Sequence, residues 1–199
     1  MKKTLRTVAV AAGILSLASA AQAACDPGKD GNDLTFEEAQ AVYDCIAADL
    51  HAGYMTGAKR WVPAGYVADY RSWTPANTLP ANPGFHGGRF LLTWVNDVGA
   101  ADYMKFAEDD VSIPAGTVIA KESFAVTADG KVEPGPLFIM EKRVAGVSPE
   151  TLDWFYMMVA PSGAPQAVPV MAACNECHMG NYGYQGGLGY PDPDVRVGQ

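Results

Sequence analysis

Positive charge is scarce in this chain. Fourteen lysines and arginines stand against 22 aspartates and glutamates, and the formal net charge at pH 7 is −8. An acidic surface argues against nucleic acid or an anionic membrane as partner. It suits docking to a basic redox protein, although solubility explains it equally well. Histidine and cysteine are scarcer still, with three and four copies. No internal repeat or low-complexity run stands out, so 199 residues imply one ordinary domain with a proper core. No apolar run is long enough to span a bilayer.

What is present begins with a secretory leader over residues 1–23. Lys2, Lys3 and Arg6 form its charged region, Val8 to Ala18 its short apolar region, and Ala21-Gln22-Ala23 a small-x-small cleavage site. The mature chain then starts at Ala24, and a periplasmic location is expected. A lipoprotein anchored at Cys25 is the alternative, but Gln22-Ala23-Ala24 lacks the apolar residue expected before such a cysteine.

Cys174-Asn175-Glu176-Cys177-His178 reads C-x-x-C-H, the attachment pattern of a c-type haem. Two intervening residues place both thiols on one side of a helical turn, where each can add across a haem vinyl group. The next residue, His178, can offer its imidazole to the iron from below. A zinc half-site would want further ligands at similar spacing, and the chain has no second such pair. A thioredoxin-like redox pair would want a βαβ context and has no use for the trailing histidine. The expected cofactor is therefore haem c, held by two thioether links. Export fits, because it also lets disulfides persist. Cys25 and Cys45 are the even remainder and are expected to pair, tying the new N-terminus to the first helix.

Along the chain, Asp26 to Asn32 favours turns. Thr35 and Glu38 form a capping box, and Phe36, Ala39, Val42, Ile46 and Leu50 make one apolar helical stripe ended by Gly53. His51, in its last turn, reads as a solvated histidine near a helix dipole. A short helix or turn is expected near Ala64 to Tyr70, followed by Pro/Gly-rich chain in which His86 reads as a hydrogen-bonding loop residue, with a redox or ligand role as the alternative. Strands are expected at Arg89–Asn96, Thr117–Val126, Leu137–Val144 and Asp153–Ala160. A short helix, capped by Asp97, is expected over Val98–Ala107. In the second strand, alternation puts Val118, Ala120, Glu122, Phe124 and Val126 on one face and Ile119, Lys121 and Ser123 on the other. Short turns such as Ala128-Asp129-Gly130 make the sheet antiparallel. The fold class is therefore α+β: mainly antiparallel sheet with a few flanking helices and a C-terminal haem-attachment segment. Val168 to Ala173 is expected to lead into that segment as a short helix, and Gly180–Gln199 to follow it as an extended tail.

A strand ends in Val95-Asn96, and Pro114-Ala115-Gly116-Thr117-Val118-Ile119-Ala120-Lys121-Glu122 follows a short helix. A strand ending Met140-Glu141-Lys142, the aromatic Trp154-Phe155-Tyr156 with its Pro-x-Gly turn, and the late C-x-x-C-H complete the order. This arrangement resembles the cytochrome P-460 family, which includes the cytochromes c′-beta. The resemblance covers roughly Tyr70 to Asn181. It divides the mature chain into an N-terminal helical segment, 24–60, and a haem domain, 61–199.

The resemblance implies a mostly antiparallel fold, usually a homodimer, with a five-coordinate haem between the sheet and the C-x-x-C-H segment. In hydroxylamine-oxidising members a lysine is joined to the porphyrin edge, and Lys121 matches that position. Members of the c′-beta type lack the cross-link and bind nitric oxide or carbon monoxide in an apolar pocket. Phe124, Phe138, Met140 and Trp154 are candidate walls of such a pocket. The oxidising members also carry a carboxylate over the iron, a base that removal of a proton from a nitrogen substrate needs. Here the matching region is Val144-Ala145-Gly146-Val147, without an acid. Three functions follow: hydroxylamine oxidation with electrons passed to a periplasmic cytochrome, capture of nitric oxide, or electron transfer with a methionine (Met157, Met158, Met171 or Met179) as sixth ligand.

Overall fold

The computed structural model describes residues 25–167 and 172–198. The leader and Met171 lie outside those residues. A seven-stranded antiparallel sheet forms the centre. Its strands are β1 (Thr74–Pro75), β2 (Phe90–Val95), β3 (Val118–Val126), β4 (Val132–Pro134), β5 (Leu137–Lys142), β6 (Trp154–Val159) and β7 (Pro165–Ala167). The order is β1-β2-β3-β5-β6-β7, with β4 also pairing β3. Helix α1 (Phe36–Met55) precedes the sheet, and α2 (Ala64–Asp69) and α3 (Ala100–Tyr103) occupy connections. Helix α4 (Ala172–Tyr182) carries the C-x-x-C-H residues.

Both faces of the sheet are covered. On one face, α1 lays Val42, Tyr43, Ile46, Leu50 and Tyr54 against Phe90, Leu92, Trp94, Phe124, Leu137 and Ile139. The expected capping box starts this helix: the Thr35 side chain accepts from the Glu38 amide, and Glu38 accepts from the Thr35 amide. Cys25 and Cys45 form a disulfide, with Cα atoms 5.7 Å apart, that ties the preceding loop to α1. On the other face, Val95, Ile119, Met140, Trp154 and Tyr156 pack with Tyr103, Phe106, Ile113 and Leu188.

Burial on both faces leaves the polar residues of β3 without water, so each must find a protein partner. Glu122 is fully buried on the helix side. Its carboxylate accepts from Tyr43 Oη at 3.2 Å, Tyr70 Oη at 2.8 Å and Arg71 Nε at 3.1 Å, and pairs with Arg71 Nη2. Ser123 Oγ donates to Pro136 O at 2.6 Å. Lys121 points to the opposite face from Glu122, as alternation requires.

Three expectations change. The helix expected over Val98–Ala107 is a single turn, α3, preceded by Gly99 with no side-chain cap. Asn96 rather than Asp97 is the fastening residue, donating to Gly116 O at 2.9 Å and accepting from Val118 N at 3.0 Å. The tail after Gly180 is not loose. Leu188 and Val195 are buried, Thr78 N donates to Val195 O at 2.8 Å, and Val197 N donates to Ala76 O at 3.1 Å. Those bonds fasten the chain end beside β1 and close the second core. Among the described residues no helix is long and apolar enough to cross a membrane.

Candidate functional site

The site lies on the sheet face opposite α1. Helix α4 places Cys174 and Cys177 three residues apart, one helical turn on the same side. Neither is in a disulfide; Cys174 is half-buried and Cys177 exposed. His178 follows, turned inward and only 6% exposed. Its Nδ1 lies 2.6 Å from Gly187 O. A carbonyl can only accept, so Nδ1 carries the proton and Nε2 holds the free lone pair. This is the way ligating histidines are usually oriented. Burial and the nearby Lys121 charge push the His178 pKa down to about 4, so the ring is neutral at pH 7.

The loop after α4 organises the rest. Three of its carbonyls each hold one inward side chain. Gly186 O accepts from Trp154 Nε1 at 2.8 Å, Gly187 O from His178, and Gly189 O from Lys121 Nζ at 2.8 Å. Gly186 and Gly187 have φ of 67° and 79°. A side chain on Gly187 would meet the Met179 methyl group at 2.5 Å and the Trp154 ring at 3.4 Å. The left-handed turn favours glycine there, while the flexible end of Met179 could give way to a small side chain. The Gly/Tyr/Pro composition of this stretch was the only sequence signal, and it reads as loop without showing which carbonyls face inward.

A small apolar cavity, about 20 Å³, adjoins His178. Its walls include Ile119, Phe138, Met140, Tyr156, Cys174 and His86. A larger cleft of about 310 Å³ lies beyond Lys121, which lines both, and is bounded by Phe85, Thr93, Tyr182, Tyr190 and Arg196. Lys121 is 7% exposed, and burial lowers its pKa to about 8. The Tyr156 and Tyr190 hydroxyls are buried with no hydrogen-bond partner among the described residues.

Of the candidate pocket walls, Phe138 and Met140 line the small cavity. Trp154 is buried in the same core, its ring fixed to the α4 loop. Phe124 is a correction: it projects to the α1 face, stacked on Phe90 at 5.0 Å, because it lies an odd number of residues from Lys121 along β3. Among the methionines, Met157 packs in the α1-side core and also lines the small cavity beside His178, and Met179 lies against Gly187.

His86, expected as a hydrogen-bonding loop residue, makes no side-chain hydrogen bond among the described residues. Its ring centroid is 6.2 Å from that of His178, the planes at 88°, and it abuts Phe138 at 4.4 Å. The third histidine, His51, is elsewhere and is not the solvated residue expected: it is half-buried against Tyr70 on the α1 side, its Nε2 enclosed with no hydrogen-bond partner among the described residues.

The residues present fit a covalently held haem. Two free thiols at helical spacing flank a buried imidazole of fixed tautomer, beside an apolar cavity and a cleft. Among the described residues no three of His, Cys, Asp and Glu converge as an all-protein metal cage. Comparison with models of known protein families gives no match, and no curated protein matches the chain.

Proposed function

We propose that this chain is an exported mono-haem c-type cytochrome of the P-460 type, which binds a small nitrogen species such as nitric oxide. The observation that carries the reading is the Nδ1 contact of His178 with Gly187 O inside the C-x-x-C-H helix. Cys174 and Cys177 are the thioether positions and His178 the axial imidazole. Haem, when bound, supplies an iron that takes a diatomic ligand or exchanges an electron.

The chain's own residues do the rest. Ile119, Phe138 and Met140 keep water from the space beside His178. Arg196, on the rim of the larger cleft, offers a cation to an acidic ring substituent. Among the described residues no carboxylate lines the small cavity, although Asp192 lines the larger cleft; a cavity without a base favours ligand capture over hydroxylamine oxidation. A specific observation supports the oxidase as second reading. Lys121 is buried at the cavity, and its lowered pKa leaves an appreciable neutral fraction for bonding to a ring edge.

The test is to express the chain in a host that matures c-type cytochromes. A mass equal to the processed chain plus one haem, and an absorption change on titration with nitric oxide, are expected. A colourless product with the mass of the bare chain would overturn the reading. A strongly red-shifted ferrous Soret band would instead indicate a lysine cross-link and favour the oxidase with a periplasmic cytochrome as acceptor. The homodimer implied by the resemblance belongs to the same proposal and is read by light scattering.

A further inference from the structure

Three of this chain's features bear on what faces His178 across the small cavity. First, the distance. An imidazole nitrogen binds a transition metal at about 2.0–2.1 Å and lies roughly 1.1 Å from its ring centroid, so two imidazoles on opposite sides of one metal have centroids about 6.3 Å apart. The His86 and His178 centroids are 6.2 Å apart. Second, the surroundings. Both rings line one cavity whose other walls are largely apolar, and His86 is wedged at 71° against Phe138. No hydrogen bond from a described residue occupies either nitrogen of His86. Third, the backbone. His86 has φ +56°, followed by Gly87 at +76° and Gly88 at +70°. Histidine is one of the non-glycine residues that enter the left-handed region more readily, so this backbone turns the ring inward without marking strain.

From this geometry we infer that His86 is the second axial ligand of the iron, so that the resting cytochrome is six-coordinate with two imidazoles. The inference rests on the haem reading above and departs from the five-coordinate iron that the resemblance implies: the face open to a diatomic ligand is capped at rest, and the ligand must displace His86. The loop is built for that motion. Gly84, Gly87 and Gly88 flank the histidine, a Cβ on any of them would meet nothing within 4 Å, and Phe85 is exposed. Besides the coordinate bond, the ring packs against Phe138. The step is a ligand exchange. The nitrogen lone pair of His86 leaves the iron, that of the incoming molecule takes its place, and no electron or proton is transferred.

The experiment uses the purified holoprotein and its His86→Ala variant, with electron paramagnetic resonance of the ferric state and stopped-flow carbon monoxide binding to the ferrous state. The wild type is expected to be low-spin, with the highly anisotropic signal of imidazole planes set near perpendicular. The variant is expected to turn high-spin, to bind carbon monoxide at least tenfold faster, and to regain a low-spin signal when free imidazole is added. If the alanine variant fails to fold, His86→Met decides the point, since a methionine-to-iron charge-transfer band should appear in it alone. A wild type that is high-spin, or low-spin with such a methionine band, would overturn the assignment while leaving the haem reading intact. Absence of haem would overturn both.

Discussion

At pH 7 the ammonium of Lys121 is enclosed by the sheet and the α4 loop, with a single hydrogen-bond partner among the described residues, Gly189 O at 2.8 Å. One carbonyl replaces little of the hydration lost, so burial favours the neutral amine and the pKa falls to about 8. Between about pH 8 and the unfolded value near 10.5 the folded chain holds fewer protons than the unfolded one. The stability of a haem-free chain, made by replacing Cys174 and Cys177 with alanine, should therefore rise with pH across that window and be lowest below it. Lys121→Met removes the cost of the buried charge. It should raise stability at pH 7 by up to about 3 kcal/mol and flatten the rise relative to the parent. Urea titrations of both chains at pH 7 and pH 9.5 check this. Equal slopes would mean that Lys121 is solvated or paired. The face to which this lysine points could be read from alternation along β3, and so could that of Glu122. Neither residue's partner could be read, because the carbonyl of Gly189 and the hydroxyls of Tyr43 and Tyr70 come from 50 to 80 residues away.

Helix α1 is joined to the sheet by a polar knot around Glu122 and, separately, by Tyr54 Oη donating to Gly135 O at 2.6 Å, within a largely apolar interface. Arg71 donates to Glu122 on β3 and, through Nη2 at 2.8 Å, to the carbonyl of Ala47 on α1. Breaking a buried ion pair from one side leaves a charge without compensation, a loss of about 3–5 kcal/mol, whereas removing both partners costs far less. Since Arg71 is partly exposed, Arg71→Met should lie at the lower end, about 3 kcal/mol. The double variant Arg71→Met/Glu122→Leu should recover part of that. Urea midpoints at constant slope measure both, and an additive double variant would refute the coupling. The strands of this interface were legible. Long runs of aromatic and β-branched residues between turn signals placed β2, β3, β5 and β6 to within a residue or two. Strands β1, β4 and β7 were not, because segments of two or three residues carry no period and exist only through their neighbours. The chain end was misread for a related reason. Glycine, tyrosine and proline mark irregular backbone, and irregular backbone can still be fixed by bonds to distant strands.

Over the whole molecule, β3 supplies residues to both cores. Phe124 and Ala120 go to the α1 side, and Ile119 and Lys121 to the site side. A sheet cannot lose one covered face and keep its strand pairing unaffected, since exposed apolar rows and unpaired polar groups then face water on strands that also hold the other core. The two faces should therefore unfold together, as small domains usually do. Deleting residues 188–199 tests this. The cut removes the buried Leu188 and Val195, worth about 1.5–3 kcal/mol each, and with them the Thr78 and Val197 backbone bonds. It leaves α1, its capping box and the Cys25–Cys45 disulfide untouched. If the faces are one cooperative unit, helical circular dichroism, dominated by α1, and the fluorescence of Trp154 beside the α4 loop, read in a background where Trp61, Trp73 and Trp94 are replaced by phenylalanine, will shift to lower urea together and by the same amount. If the circular dichroism midpoint stays where it was while fluorescence moves, the α1 face stands alone, and the site face is a separate layer that can be ordered by haem without cost to the rest. The shared strand argues for the first outcome.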